Sequence, residues 1–302
     1  MTLYTAQAQN IRRTWLLMAA FLVLVIGIGW AFSIVLETRE ILYIAVALAL
    51  VMNLISYWFA DRIALAMHGA REASRGEAPE LHRLVENLAI TAGLPTPRLY
   101  IVDDPAPNAF ATGRNANHAV VAVTTGLLER LDRTELEGVL AHELSHIGNR
   151  DMLVGTVAVV LAGVISILAD FFLRALWFGG GRGREDRGQA QALFLIIGIA
   201  GAIIAPIAAT LIRLAISRRR EFLADASGAL LTRHPEALAR ALQKISAAGV
   251  PMLSARTATA HLWLNDPFAQ EGPEGRRRTS WIVKLFMTHP PVEERVAALR
   301  GV

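Results

Sequence analysis

Four stretches of the chain are almost free of charge: about Trp15 to Leu36, Ile41 to Phe59, Met152 to Phe172 and Leu193 to Ile212. Each is close to the ~20 residues that a helix rising ~1.5 Å per residue needs to cross ~30 Å of hydrocarbon. The pattern therefore predicts four membrane-spanning helices. The first exceeds the ~7 to 15 apolar residues of a signal peptide and is soon followed by a second. The third and fourth contain Asp170 and Pro206, which a span tolerates where neighbouring helices or water satisfy the freed groups. Buried helices of a large soluble core would share the pattern.

Between the apolar stretches the period changes. Pro79 stands at a plausible first helical position, and Leu81, Leu84, Val85 and Leu88 follow at helical spacing up to about Gly93. Three short β-prone runs come next: Arg98 to Val102, Ala109 to Ala111 and His118 to Thr124, separated by Pro105, Pro107, Gly113 and Asn115 to Asn117. They predict a small antiparallel sheet packed on helices. Asp132 with Glu135 three residues on is a capping-box signal for a further helix. Beyond the fourth stretch, Ser217 to Thr232 reads as a helix, Pro235 opens another to about Ala247, and a last amphipathic helix runs from about Pro291 to Leu299. Asp266 to Arg278 reads as a loop.

Composition agrees with a membrane protein. Of 302 residues 54% are hydrophobic and the mean hydropathy is +0.40, high for a soluble chain. Cysteine is absent, which removes disulfides, thiol nucleophiles and thiolate metal sites. A metal could be held only by His, Asp or Glu. The net charge of +4 and pI near 9.9 suit an anionic bilayer face. The basic runs Arg218 to Arg220 and Arg276 to Arg278 lack interleaved aromatics, so no nucleic-acid partner is expected. Arg12 and Arg13 precede the first span, and Arg62, Arg71 and Arg75 follow the second, whereas the connector Glu37-Thr38-Arg39-Glu40 is acidic. By the positive-inside rule both termini and both polar segments are cytoplasmic. Arg182, Arg184 and Arg187 in the loop 179–188 run against that assignment. The expected organisation is a membrane hairpin (1–60), half of a catalytic domain (61–151), a second hairpin (152–212) and the other half (213–302).

Chemistry enters with His142-Glu143-Leu144-Ser145-His146. Histidines four apart on a helix share a face and can place two imidazole nitrogens on one tetrahedral ion. Glu143 points ~100° away, where it can reach a water activated by zinc without occupying a ligand position. A catalytic zinc needs a third protein ligand, and Glu221 is the best candidate. Asp225, one turn on, could accept a hydrogen bond from a ligand histidine. By spacing alone the two also fit an ordinary acidic pair on a solvated helix.

These residues resemble the HtpX family, bacterial heat-shock membrane proteases related to the CAAX prenyl proteases. The resemblance covers nearly the whole chain. It rests on the four-span layout, Asn108-Ala109-Phe110-Ala111-Thr112-Gly113, Val123 to Leu128, His142 to His146, Ser217 and Arg218 through Asp225, and Thr288-His289-Pro290-Pro291 with Arg295. It implies a mainly α membrane protein with a cytoplasmic α+β zincin-like domain, one Zn2+ on His142, His146 and Glu221, and Glu143 as general base. It further implies that Arg218, Asp225 and Arg295 support the site, and that His289 stabilises the oxyanion. Asn108, Ala109, Phe110 and Ala111 would form an edge strand that pairs with an extended substrate. A core strand, and a structural cap for His289, are the plainer readings of those residues. The substrates implied are misfolded or damaged membrane proteins, cut on the cytoplasmic side of the bacterial inner membrane.

Two other functions fit parts of the pattern. A zinc-bearing holdase or adaptor would use the edge strand without cutting, but would have no need of Glu143. A small channel would place polar groups in several spans, where only Asp170 stands out.

Overall fold

The computed structural model describes residues 3–35, 37–157, 161, 218–254, 262–265 and 290–301. Helices α1 (Leu3–Val35) and α2 (Glu40–Met67) form a hairpin. Stretches of both, Ala8–Ile34 and Glu40–Met67, are long and apolar enough to cross a membrane. Small side chains at Ala45, Ala49, Ser56 and Ala60 make a buried stripe along α2, and such residues let two helices approach closely. Trp15, Leu16, Val23, Trp30, Tyr43 and Leu54 point outward, as lipid-facing side chains do. The expected third span begins as helix at 152–157. The rest of it, the fourth span, the loop 179–188 and the linker 266–278 lie outside the described residues.

The second span was expected to stop at Phe59, but α2 runs on to Met67 because its apolar face continues. Ala64 and Leu65 pack with Val102, Phe110, Val120 and Ala122 beneath the sheet. At ~1.5 Å per residue the 33 residues of α1 span ~50 Å and the 28 of α2 ~42 Å. Both exceed a ~30 Å hydrocarbon layer and reach into the polar half of the protein.

The sheet has four strands, β1 (Arg71–Glu72), β2 (Arg98–Val102), β3 (Ala109–Thr112) and β4 (Val120–Thr124), in the order β1-β2-β4-β3. The expectation of an antiparallel sheet is corrected here: β4 is antiparallel to β3 but parallel to β2, so the sheet is mixed. The chain passes from β2 to an outer position, turns, and inserts β4 between the two. A strand antiparallel to β3 in that slot must run with β2. His118 is not in a strand. It closes a helical turn at Ala116–His118, capped by the Asn115 side chain.

Helix α3 (Pro79–Ala92) ends on Gly93, whose φ of 65° is the left-handed conformation a glycine adopts without strain. Helices α4 (Thr125–Arg130) and α5 (Arg133–Gly148) follow, then α6 (Arg218–Thr232), α7 (Pro235–Ala247) and α8 (Val292–Arg300). The capping box at the start of α5 is present, with Asp132 accepting from the Thr134 and Glu135 amides and Glu135 from the Asp132 amide. Helix α5 is the centre of the core. Val139, Leu140, Leu144 and Ile147 pack among Leu84 and Leu88 of α3, Val121 and Val123 of β4 and Leu238 and Leu242 of α7.

Candidate active site

Helix α5 carries His142 and His146 on the face turned to α6, and the two Nε2 atoms lie 3.0 Å apart. Helix α6 supplies Glu221, with carboxylate oxygens 3.9 Å from His142 Nε2 and 3.7 Å from His146 Nε2. Two ligands ~2.1 Å from a tetrahedral zinc stand about 3.4 Å apart. The three observed separations bracket that value, so this donor set fits zinc. All three ligand atoms lie within 4.8 Å of one another, and no other such group is found among the described residues. The helices can approach this closely because α6 has Gly228 at the crossing. A Cβ there would stand 2.9 Å from the His142 amide nitrogen and 3.1 Å from its Cα. Glu221, Asp225 and Gly228 lie three and four residues apart, on one face of α6.

Each histidine has a carboxylate behind it. Asp225 Oδ1 is 2.9 Å from His142 Nδ1, and Arg295 grips the same carboxylate with Nε and Nη2 at 2.8 and 2.6 Å. All three side chains are buried. Burial opposes the charge on Asp225, but Arg295 outweighs it and holds the carboxyl at about 2. Arg295 also lies 3.8 Å from Glu221 and reaches the Leu264 carbonyl, so α8 is tied to the ligand set.

The carboxylate behind His146 is Asp151, with both oxygens 3.1 Å from Nδ1. Sequence reasoning missed it, reading the residue only as the end of a soluble segment. A turn puts it there. Arg150 adopts φ of 54°, the Arg150 amide bonds to the Ile147 carbonyl and the Asp151 amide to the His146 carbonyl. This pairing is the Schellman arrangement, and it folds Asp151 back over the last turn of α5. Burial acts against a charge on His146, yet Asp151, Glu221 and Glu143 raise its pKa to about 10. Its neighbourhood is thus built for a cation, whether proton or metal. Burial pushes the His142 imidazole down, against the pull of Asp225.

Glu143 is buried beside the pair. Burial, with Glu221 adding to it, pushes its carboxyl up to about 7 against the pull of His146, Arg295 and the backbone N–H of Ala111. The Ala111 contact follows from the sheet. Asn108 O accepts from Thr124 N, so residues 108, 110 and 112 turn their backbone groups toward β4, and 109 and 111 turn theirs outward.

The strand expected to receive substrate is therefore at the sheet edge, but not all of that edge is open. Leu264 N donates to Ala109 O, and the Asn108 side chain exchanges hydrogen bonds with the Asn265 backbone at 2.9 and 3.1 Å. Phe110 points into the opposite cluster with Trp263. Arg218 lies exposed at the start of α6, whereas Arg220 is buried and interacts with Asp151 and Glu221. His289 lies outside the described residues.

Comparison with known proteins identifies the family. The family model for peptidase family M48 matches residues 75–302. A protease HtpX homolog of Pyrococcus furiosus is 50% identical over 292 residues, covering 96% of this chain and 95% of its own. One from Thermoanaerobacter pseudethanolicus is 45% identical over 99% and 98%, and one from Syntrophobacter fumaroxidans 47% over 96% and 98%. The crystal structure of S. mikatae Ste24p superimposes with a TM-score of 0.51 at 19% identity, over 95% of this chain and 66% of that one, a likeness of fold. The chain belongs to peptidase family M48 and, with relatives of this identity along its length, to the HtpX group of membrane metalloproteases.

Proposed function

We propose that the protein is a zinc-dependent endopeptidase that cleaves misfolded or damaged membrane proteins on the cytoplasmic side of the inner membrane. The observation that carries the reading is the pairing of a zinc-sized donor set, His142, His146 and Glu221, with the buried carboxyl of Glu143 beside it on the same helix. Zinc held there would act as a Lewis acid, polarising a peptide carbonyl and lowering the pKa of a water toward ~7. Glu143 takes the proton from the attacking water and returns it to the leaving amine. Asp225 and Asp151 hold the two imidazoles in the orientation that points Nε2 inward, and Arg295 keeps Asp225 charged. His289 is assigned to the carbonyl oxygen as charge develops on it.

An extended substrate is assigned to the outward side of β3 at Ala111, whose carbonyl turns away from β4 while its N–H already serves Glu143. The edge at Asn108 and Ala109 is filled by residues 264–265 and sets where pairing starts. In the organisation proposed, residues 61–151 and 213–302 are two halves of one catalytic domain, and the packing of α5 on α6 supports it. Four spans with both termini cytoplasmic complete the topology. A holdase that binds without cutting would have no use for a buried carboxyl beside the metal position.

The test uses the full chain purified in detergent. One zinc per chain and cleavage of an unfolded substrate are expected, and Glu143→Gln is expected to keep zinc while turnover falls by about 10²- to 10⁴-fold. Equal cutting by both forms would refute the mechanism. A reporter fused at Val302 that proved periplasmic would refute the topology.

A further inference from the structure

Helix α1 ends its apolar stripe in two polar residues. Leu17, Phe21 and Val25 face the helical stretch after α5, but one turn earlier on the same face come Thr14 and Asn10, 1% and 3% exposed. The Asn10 side-chain amide donates to the carbonyl of Asn149 at 3.2 Å, and the Thr14 hydroxyl donates to the Asn10 carbonyl at 3.1 Å. Asn149 is the cap residue of α5. Its carbonyl belongs to the set that no helix can satisfy internally, and Asn10 meets it from another element 139 residues away. The next residues are Arg150 in its left-handed conformation and Asp151 with its carboxylate on His146.

We infer that Asn10 is a positioning residue for the metal site: by clamping the Asn149 carbonyl it fixes the turn that holds Asp151 against His146. This rests on the zinc reading above. The turn has no glycine to make its left-handed residue easy; α5 holds it through the Arg150 and Asp151 amides, and the next helix through the Asp151 carbonyl, but within it the Asn149 carbonyl is met by Asn10. A hydrogen bond from α1 removes the freedom of the peptide just before Arg150, and with it the swing of Asp151. The buried Asn10 amide has a target, and that target is two residues from the carboxylate behind a ligand. The first membrane helix is thereby part of the active-site scaffold, although Asn10 itself does not touch the metal position.

The test compares Asn10→Asp, which keeps the shape but sets a carboxylate oxygen against the Asn149 carbonyl, with Asn10→Leu and with Thr14→Val, which leaves the Asn149 contact in place. Full-length protein in detergent is titrated with zinc against a competing chelator, and the thermal midpoint of each metal-stripped form is recorded. We expect both Asn10 variants to bind zinc about tenfold more weakly, toward the low end of what loss of an outer-sphere partner costs. The metal-free midpoint of both Asn10 variants should fall, since the buried Asn149 carbonyl loses its donor, kcat should fall with KM unchanged, and Thr14→Val should bind zinc as the parent does. Zinc affinity within twofold of the parent for either folded Asn10 variant would overturn the inference, as would equal weakening by Thr14→Val, which would mark a general loosening of α1. Parent protein that held no zinc would defeat the function proposed above. Parent protein that held it, with Asn10 variants doing so equally well, would defeat only this step.

Discussion

At the scale of single residues the site depends on two helix ends. Asp132 caps the start of α5, and the amide of Glu135, with the Thr134 side chain next, holds its carboxyl below the usual range. A carboxyl whose folded pKa is depressed contributes stability above the unfolded value, near 4, and loses it as pH falls through the folded one. Asp132→Ala should therefore lower stability by about 1 kcal/mol near neutral pH. The gap between the two unfolding curves should close in acid, as pH falls below the unfolded value and through the depressed folded one; a gap independent of pH would contradict the capping account. At the other end Arg150 is exposed and sits in a conformation that costs an L-residue about 1 to 2 kcal/mol. Arg150→Gly should hold or raise the thermal midpoint, whereas Arg150→Val should lower it, through a loss of stability of about 1 to 2 kcal/mol. Equal midpoints for the two would show that the turn relaxes freely. His142, Glu143 and His146 were legible in sequence because one helix fixes their spacing. Asp151 was not, because its place at His146 depends on a reversal of the chain that a lone Asn-Arg-Asp does not announce.

At the scale of elements, the contact that assembles the ligand set is α5 on α6. Gly228 permits it, and Glu221 is on the same face two turns earlier. In an ordinary helix Gly→Ala stabilises by about 1 kcal/mol. Here the added methyl meets backbone of α5, which cannot rotate away, so Gly228→Ala should destabilise by about 1 to 3 kcal/mol. It should also weaken zinc binding, because the same displacement carries Glu221 outward. Unfolding and metal titration of one sample would check both, and a more stable variant would rule out the close approach. Helices α3, α5, α6 and α7 could be read from the chain because caps, prolines and apolar spacing are local. The sheet could not be read as well. Three of its four strands were found and β1 was not, since two exposed residues make no pattern, and the insertion of β4 between β2 and β3 is decided by packing against α2 and α5, because short runs carry no mark of their neighbour's direction.

At the scale of the molecule, residues more than 70 positions apart meet at one point, and a bound ion would join them. A ligand that binds only the folded state stabilises it by about 1.4 kcal/mol for each tenfold excess over its Kd. Chelation should therefore lower the thermal midpoint of the whole protein, and zinc should restore it. Glu221→Gln should blunt that response, and a midpoint indifferent to zinc in the parent would show that the halves close without metal. The two described spans were plain in the sequence as uncharged stretches of sufficient length. That both continue as helix into the catalytic half was not, since nothing in the apolar pattern shows what lies beneath Ala64 or opposite Asn10. That continuity makes the hairpin a lever. A bilayer that does not match its apolar length is met by tilting a helix more readily than by breaking it. Tilt of α1 would be felt at the Asn149 carbonyl and tilt of α2 under Phe110, so the thickness of the surrounding lipid would bear on both elements that flank the metal position.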